Sequence, residues 1–193
     1  MSSGPFVEAT KLNLTETELD VIEKYTGGES LWINNYLRNR DLENVNENNL
    51  KKLKRYSTIL NDIMKHKSPP SRSATKVYRG AEAMHQSWRE LKTGEELLFT
   101  NKGIISTSFH KKAALSFIEE DDDCCLLVLT LPKGTTGLYI SSQSVFSDLE
   151  EDELLLPHGS KFVVTKKTFS KYENKKILTY HADLVSQNTA ISR

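Results

Sequence analysis

Two adjacent prolines, Pro69 and Pro70, divide this chain of 193 residues into parts of different character. Proline removes a backbone donor and biases the residue before it away from helix, so Ser68-Pro69-Pro70-Ser71 ends whatever helix precedes it. Before the break, apolar residues recur at helical spacings. Leu14-Thr15-Glu16-Thr17-Glu18-Leu19 reads as a helix start, with Thr15 as N-cap and Glu18 as its capping-box partner. Tyr25-Thr26-Gly27-Gly28 closes that helix, and a second is predicted from Ser30 through Leu37. Leu50, Leu53, Ile59, Leu60 and Ile63 mark a further helical stretch within residues 41–65.

After the break the pattern changes. Short runs rich in Val, Ile, Leu and Thr alternate with Gly, Pro and charged turns, which predicts strands near 76–80, 97–99, 103–109, 124–131, 137–140, 153–156, 162–169 and 177–184. A short helix is predicted over 111–118. Helices first and strands later indicate an α+β fold with mainly antiparallel sheet, not a doubly wound parallel one. The length fits a single domain over 1–193, helical at about 10–67 and β-rich at about 75–185.

Composition removes several function classes. With 26 basic and 26 acidic residues the formal net charge is zero, which argues against nucleic acid as a partner. No apolar run approaches a membrane span, and Met1-Ser2-Ser3-Gly4-Pro5 lacks the basic and apolar regions of a signal peptide. The expectation is a cytoplasmic protein, or one secreted or delivered by a route the sequence does not display. Cys124 and Cys125, the only cysteines, are adjacent in an apolar run and read as reduced strand residues without metal-ligand spacing. Asp121-Asp122-Asp123 reads as a solvated turn. No metal is expected.

Glu151 and Glu153 precede the apolar run Leu154-Leu155-Leu156. On a strand, residues two apart share a face, so both carboxylates point the same way. With 17 glutamates in the chain, chance supplies roughly one or two such pairs, and Glu16 with Glu18 is another. Three other features add weight. Arg79 closes the strand Val77-Tyr78-Arg79-Gly80, where a guanidinium can grip a phosphate and the glycine lets a ligand approach. Ser106-Thr107-Ser108 places two serines on one strand face and Thr107 on the other. Phe117 follows on the short helix, where an aromatic can stack on a flat ring.

Taken in order, Tyr-Arg-Gly, Ser-Thr-Ser, the helix bearing Phe117 and Glu-x-Glu-Leu-Leu-Leu-Pro resemble the mono-ADP-ribosyltransferases of the R-S-E class. Upstream, Tyr25-Thr26-Gly27 and Ile33-Asn34-Asn35-Tyr36-Leu37-Arg38 resemble the helical segment of the clostridial binary-toxin enzymes. The resemblance covers about residues 14–184. It implies N-terminal helices followed by two packed sheets around a cleft for NAD, the co-substrate, whose ADP-ribose passes to a protein side chain. By that resemblance Arg79 meets the phosphate and ribose, Gly80 the nicotinamide amide, and Phe117 the nicotinamide ring. Ser106 orients Glu153, with Thr107 and Ser108 supporting the pocket, while Tyr25 and Asn34 cover the cofactor from the helical side. Glu153 stabilises the ribose cation and Glu151 engages the acceptor. A glutamate at that first position resembles the arginine-modifying members, so the expected partner is a protein bearing an acceptor arginine, met by a monomer.

Two positions depart from the family pattern. Ser30 stands where relatives often carry a second aromatic, with Trp32 two residues later. Phe146, the expected target-recognition aromatic, lies farther from Glu151 than is usual. Two other readings accompany the transferase: an NAD glycohydrolase on the same fold, with water as acceptor, and a non-catalytic NAD-binding module.

Overall fold

The capping box at Thr15 forms as the sequence requires: its hydroxyl accepts the backbone N–H of Glu18, and the Glu18 carboxylate accepts the backbone N–H of Thr15 at 2.7 Å. This computed structural model describes residues 4–81, 88, 90–92, 95–118, 124–141, 152–172 and 175–187. Helix α1 spans Glu16–Lys24, α2 spans Ser30–Arg38 and α3 spans Glu47–Asp62. The wide turn between α1 and α2 passes through Gly28 at φ 119°, a conformation that glycine adopts without steric cost. Asn46 caps α3 by accepting the Asn49 N–H at 2.9 Å.

The strands are β1 (Thr75–Ala81), β2 (Leu97–Thr100), β3 (Ile105–Ser108), β4 (Cys125–Leu131), β5 (Leu138–Ile140), β6 (Glu153–Leu156), β7 (Ser160–Tyr172) and β8 (Lys175–Gln187), with helix α4 (Lys111–Ser116) after β3. Their order is β2-β7-β8-β4-β1-β3-β6-β5. All pairs are antiparallel except β4 with β8. Where two sheets were expected, all eight strands join in one hydrogen-bonded sheet. The join is thin: β1 and β3 are in register at Tyr78↔Ser108 alone, whereas β1 and β4 pair from Thr75 to Ala81. A five-strand part and a three-strand part thus hinge at one seam. Val77, Leu127 and Leu129 from the first share a core with Ile105, Leu154 and Leu156 from the second.

The other face of the three-strand part carries the helices. Val21, Ile22, Tyr25, Ile33, Leu60 and Met64 pack with Ile104, Leu138, Ile140 and Leu155. Burying an aliphatic side chain of this size contributes roughly 1.5–3 kcal/mol, so this layer fixes α2 over the seam. The diproline break is fastened as well. The Ser68 hydroxyl donates to the Gly137 carbonyl, and the Ser71 N–H to the Thr135 carbonyl at 2.8 Å. Cys124 and Cys125 are free and buried, as read from the sequence. Among the described residues, no helix is long and apolar enough to cross a membrane.

Candidate active site

The β1–β3 seam is where the chemistry-bearing residues meet. Arg79 reaches across it, and its Nη1 donates to the Ser106 carbonyl at 2.7 Å. In the β3–β6 pairing Ser106 lies opposite Leu155 and Ser108 opposite Glu153, so Glu153 is the diagonal neighbour of Ser106 on the same face. The Ser106 hydroxyl donates to the Glu153 carboxylate. Strand alternation therefore converts two distant sequence motifs into one contact.

Asp152 anchors the strand just before Glu153. Its carboxylate accepts the Tyr139 hydroxyl at 3.0 Å and lies 2.9 Å from His110 Nε2, while its carbonyl accepts the Phe109 N–H at 3.1 Å. Glu151 and Phe146 lie outside the described residues.

Thr107 and Ser108 hold backbone. Thr107 turns to the opposite face and donates to the Leu154 carbonyl at 2.7 Å, and the Ser108 hydroxyl accepts the His110 N–H at 3.0 Å. Gly80 has a packing reason for being glycine: an added Cβ would lie 2.3 Å from the Ala114 carbonyl oxygen and 3.3 Å from the Phe117 Cβ. Its absence lets α4 close on β1 and sets Phe117, 49% exposed, at the cleft.

On the helical side, Tyr25 is buried behind the cleft wall rather than on it, because its ring completes the helical core. Burial pushes its phenol well above the usual range, and the nearby Glu153 carboxylate adds to that shift. Asn34 connects Tyr25 to the cleft. Its Nδ2 donates to the Tyr25 hydroxyl at 3.2 Å, and its Oδ1 accepts the Ile104 N–H at 2.7 Å.

These elements surround a cleft of about 880 Å³, lined by Asn34 and Arg38 of α2, Arg79 and Gly80 of β1, Ser106–Ser108 of β3, and Phe117, among others. Arg38 was not assigned a role from the sequence. Its signal was available: it falls four residues after Asn34, hence on the same helix face. Burial lowers its pKa from the ordinary guanidinium value, and the guanidinium of Arg79 adds to the effect. Two guanidiniums at one cleft suit a pyrophosphate. A carboxylate held by a hydroxyl beside them suits a developing ribose cation.

The chain belongs to the ADP-ribosyltransferase exoenzyme family, whose model matches residues 6–186. No curated protein matches it by sequence. Among solved structures it is similar to Plx2a, an ADP-ribosyltransferase toxin from Paenibacillus larvae, at 22% identity and TM-score 0.66, covering 90% of this chain and 88% of that one. It is similar to the ADP-ribosyltransferase Vis from Vibrio splendidus in complex with agmatine, at 18% identity and TM-score 0.66, covering 90% and 76%. It is also similar to BECa, the ADP-ribosylating toxin of a C. perfringens binary enterotoxin, solved with NADH, at 22% identity and TM-score 0.67. That match covers 90% of this chain and 44% of BECa.

Proposed function

We propose that this protein transfers ADP-ribose from NAD to arginine side chains of a target protein and releases nicotinamide. The observation that carries the reading is the chain from the Arg79 guanidinium to the Ser106 carbonyl and from the Ser106 hydroxyl to Glu153. Arg79 and Arg38 take the pyrophosphate. Phe117 lies against the nicotinamide ring, and the backbone of Gly80 meets its amide. As the bond between nicotinamide and ribose lengthens, positive charge grows on the ribose. A carboxylate beside that charge stabilises it more strongly in the transition state than in the ground state. Ser106 keeps the Glu153 carboxylate aimed, and Tyr25 and Asn34 hold the wall behind it.

Glu151 engages the acceptor. A guanidinium is cationic and a poor nucleophile, so a second carboxylate orients it and takes its proton as attack proceeds. Phe146 supplies contact to the target surface. The complex of Vis with agmatine supports a guanidino acceptor for this fold, and membership of an exoenzyme family supports a toxin or effector role.

The test is incubation with labelled NAD, a cell lysate and agmatine. Label on agmatine or protein arginine, lost in both Glu153→Gln and Glu151→Gln, is the expected outcome. Free ADP-ribose without label would establish the glycohydrolase instead. Arginine transfer that survives Glu151→Gln would remove the acceptor role from that residue.

A further inference from the structure

The described lining of the cleft carries more positive charge than a pyrophosphate requires. Arg38, Arg40, Arg79 and Lys102 line it, and none of its described lining residues is Asp or Glu. The Glu153 carboxylate beside it is engaged by Ser106. Neither Arg40 nor Lys102 forms an ion pair among the described residues.

Both of these outer cations stand on fixed backbone. Asn39 closes α2 in the left-handed conformation, φ 53°, and this turn lets the Arg40 N–H donate to the Asn35 carbonyl at 2.9 Å. The Asp41 carboxylate, next in sequence, meets the Asn35 amide at 3.5 Å. Lys102 sits in a loop held on both sides. The Asn101 N–H donates to the Ser160 carbonyl at 2.9 Å, and the Asn101 carbonyl accepts the Gly159 N–H at 2.7 Å. Beyond Lys102, Asn34 holds Ile104. A Cβ on Gly103 would lie 3.0 Å from the Arg38 guanidinium, so Lys102 adjoins the Arg38 end of the cleft.

We propose that Arg40 and Lys102 receive a third phosphate, on the adenosine ribose, so that the cleft accepts NADP as well as NAD. The inference rests on the dinucleotide reading of the cleft given above. The two charges of the pyrophosphate are matched by Arg38 and Arg79. A ribose monophosphate brings about two more near neutral pH, which the two outer cations match. In the Rossmann fold, sites that take NAD set a carboxylate on the ribose hydroxyls, where it opposes this phosphate. The described lining has none.

Titration calorimetry with ADP-ribose and 2′-phospho-ADP-ribose tests this without requiring any chemistry. The phosphorylated ligand should bind about five- to tenfold tighter at low ionic strength. Added salt should shrink the difference. The double variant Arg40→Ala/Lys102→Ala should abolish the preference while changing ADP-ribose binding less than about twofold. Equal or weaker binding of the phosphorylated ligand, or a preference that the double variant keeps, overturns the proposal. Nicotinamide release from NAD is read separately. A protein that cleaves NAD without the phosphate preference loses only this inference, and one that binds neither ligand loses both readings.

Discussion

The Asn34 side-chain oxygen accepts the Ile104 N–H at 2.7 Å, joining α2 to the residue just before the strand that carries Ser106. Ile104 is 1% exposed, so its N–H has no access to water as a substitute partner. Asn34→Ala should destabilise the fold by about 1–3 kcal/mol through that orphaned donor. It should also raise the KM for NAD, because Arg38 and the Gly103 loop share the contact. Urea unfolding and the kinetics of nicotinamide release read the two effects. A variant that loses stability but keeps KM would reduce Asn34 to a purely structural clamp.

Ser106 acts through Glu153, so its removal should affect rate more than binding. Ser106→Ala leaves the Arg79 contact intact, since that uses the Ser106 backbone carbonyl. Without that hydroxyl the Glu153 carboxylate is aimed less tightly, and kcat for NAD cleavage should fall about 10- to 100-fold with little change in KM. Ser106→Thr, which keeps the hydroxyl, should recover part of the loss. A large rise in KM with kcat unchanged would instead assign the hydroxyl to ground-state binding.

What could be read from the sequence followed from local rules. The capping box at Thr15, the stop at Pro69-Pro70 and the strand Glu153–Leu156 depend on neighbours in sequence, and each formed where expected. Alternation also put Ser106 and Ser108 on one face with Thr107 opposite. The long β7–β8 pair was foreseen only in its apolar middle. Its ends carry Lys171 and Lys176, which face each other outside any apolar pattern. The single sheet was missed because its continuity hangs on one pair, Tyr78↔Ser108, which no local pattern announces. Arg38 and Arg40 look like ordinary surface arginines until the fold brings them to the cleft that Arg79 also lines. Tyr25 was expected over the cofactor and lies in the helical core, since a motif gives a residue's order in the chain and not its depth.

Gly80 offers a test of how α4 is placed. Its missing side chain makes room for the Ala114 carbonyl, which is backbone and cannot rotate away. Gly80→Ala should push α4 off β1, at a cost of about 1–3 kcal/mol. Phe117, the residue just after that helix, should move with it. The expected kinetic signature is weaker nicotinamide inhibition, with ADP-ribose binding changed less. Unaltered nicotinamide affinity would detach Phe117 from the ring-binding role.

Cys125 should make the protein sensitive to alkali. Burial, with the neighbouring Cys124 adding to it, pushes its thiol from 9.0 up to about 12. A group whose folded pKa is raised contributes stability that is complete below its unfolded pKa and is lost as pH climbs toward the folded one. The window is therefore about pH 9 to 12, with a limiting slope of about 1.4 kcal/mol per pH unit for one group. Tyr25, also raised by burial, starts from 10.0 and adds to the fall later. Unfolding free energies measured between pH 8 and 10.5 should decline, and Cys125→Ala should flatten the early part of that decline even if the variant is less stable throughout. The Cys125 thiolate absorbance near 240 nm, read as the difference between the Cys124→Ala protein and the Cys124→Ala/Cys125→Ala protein, should stay low in the folded state at pH 10 and rise on unfolding. An early thiolate signal without unfolding would mean that the β4 core admits charge, contrary to its burial.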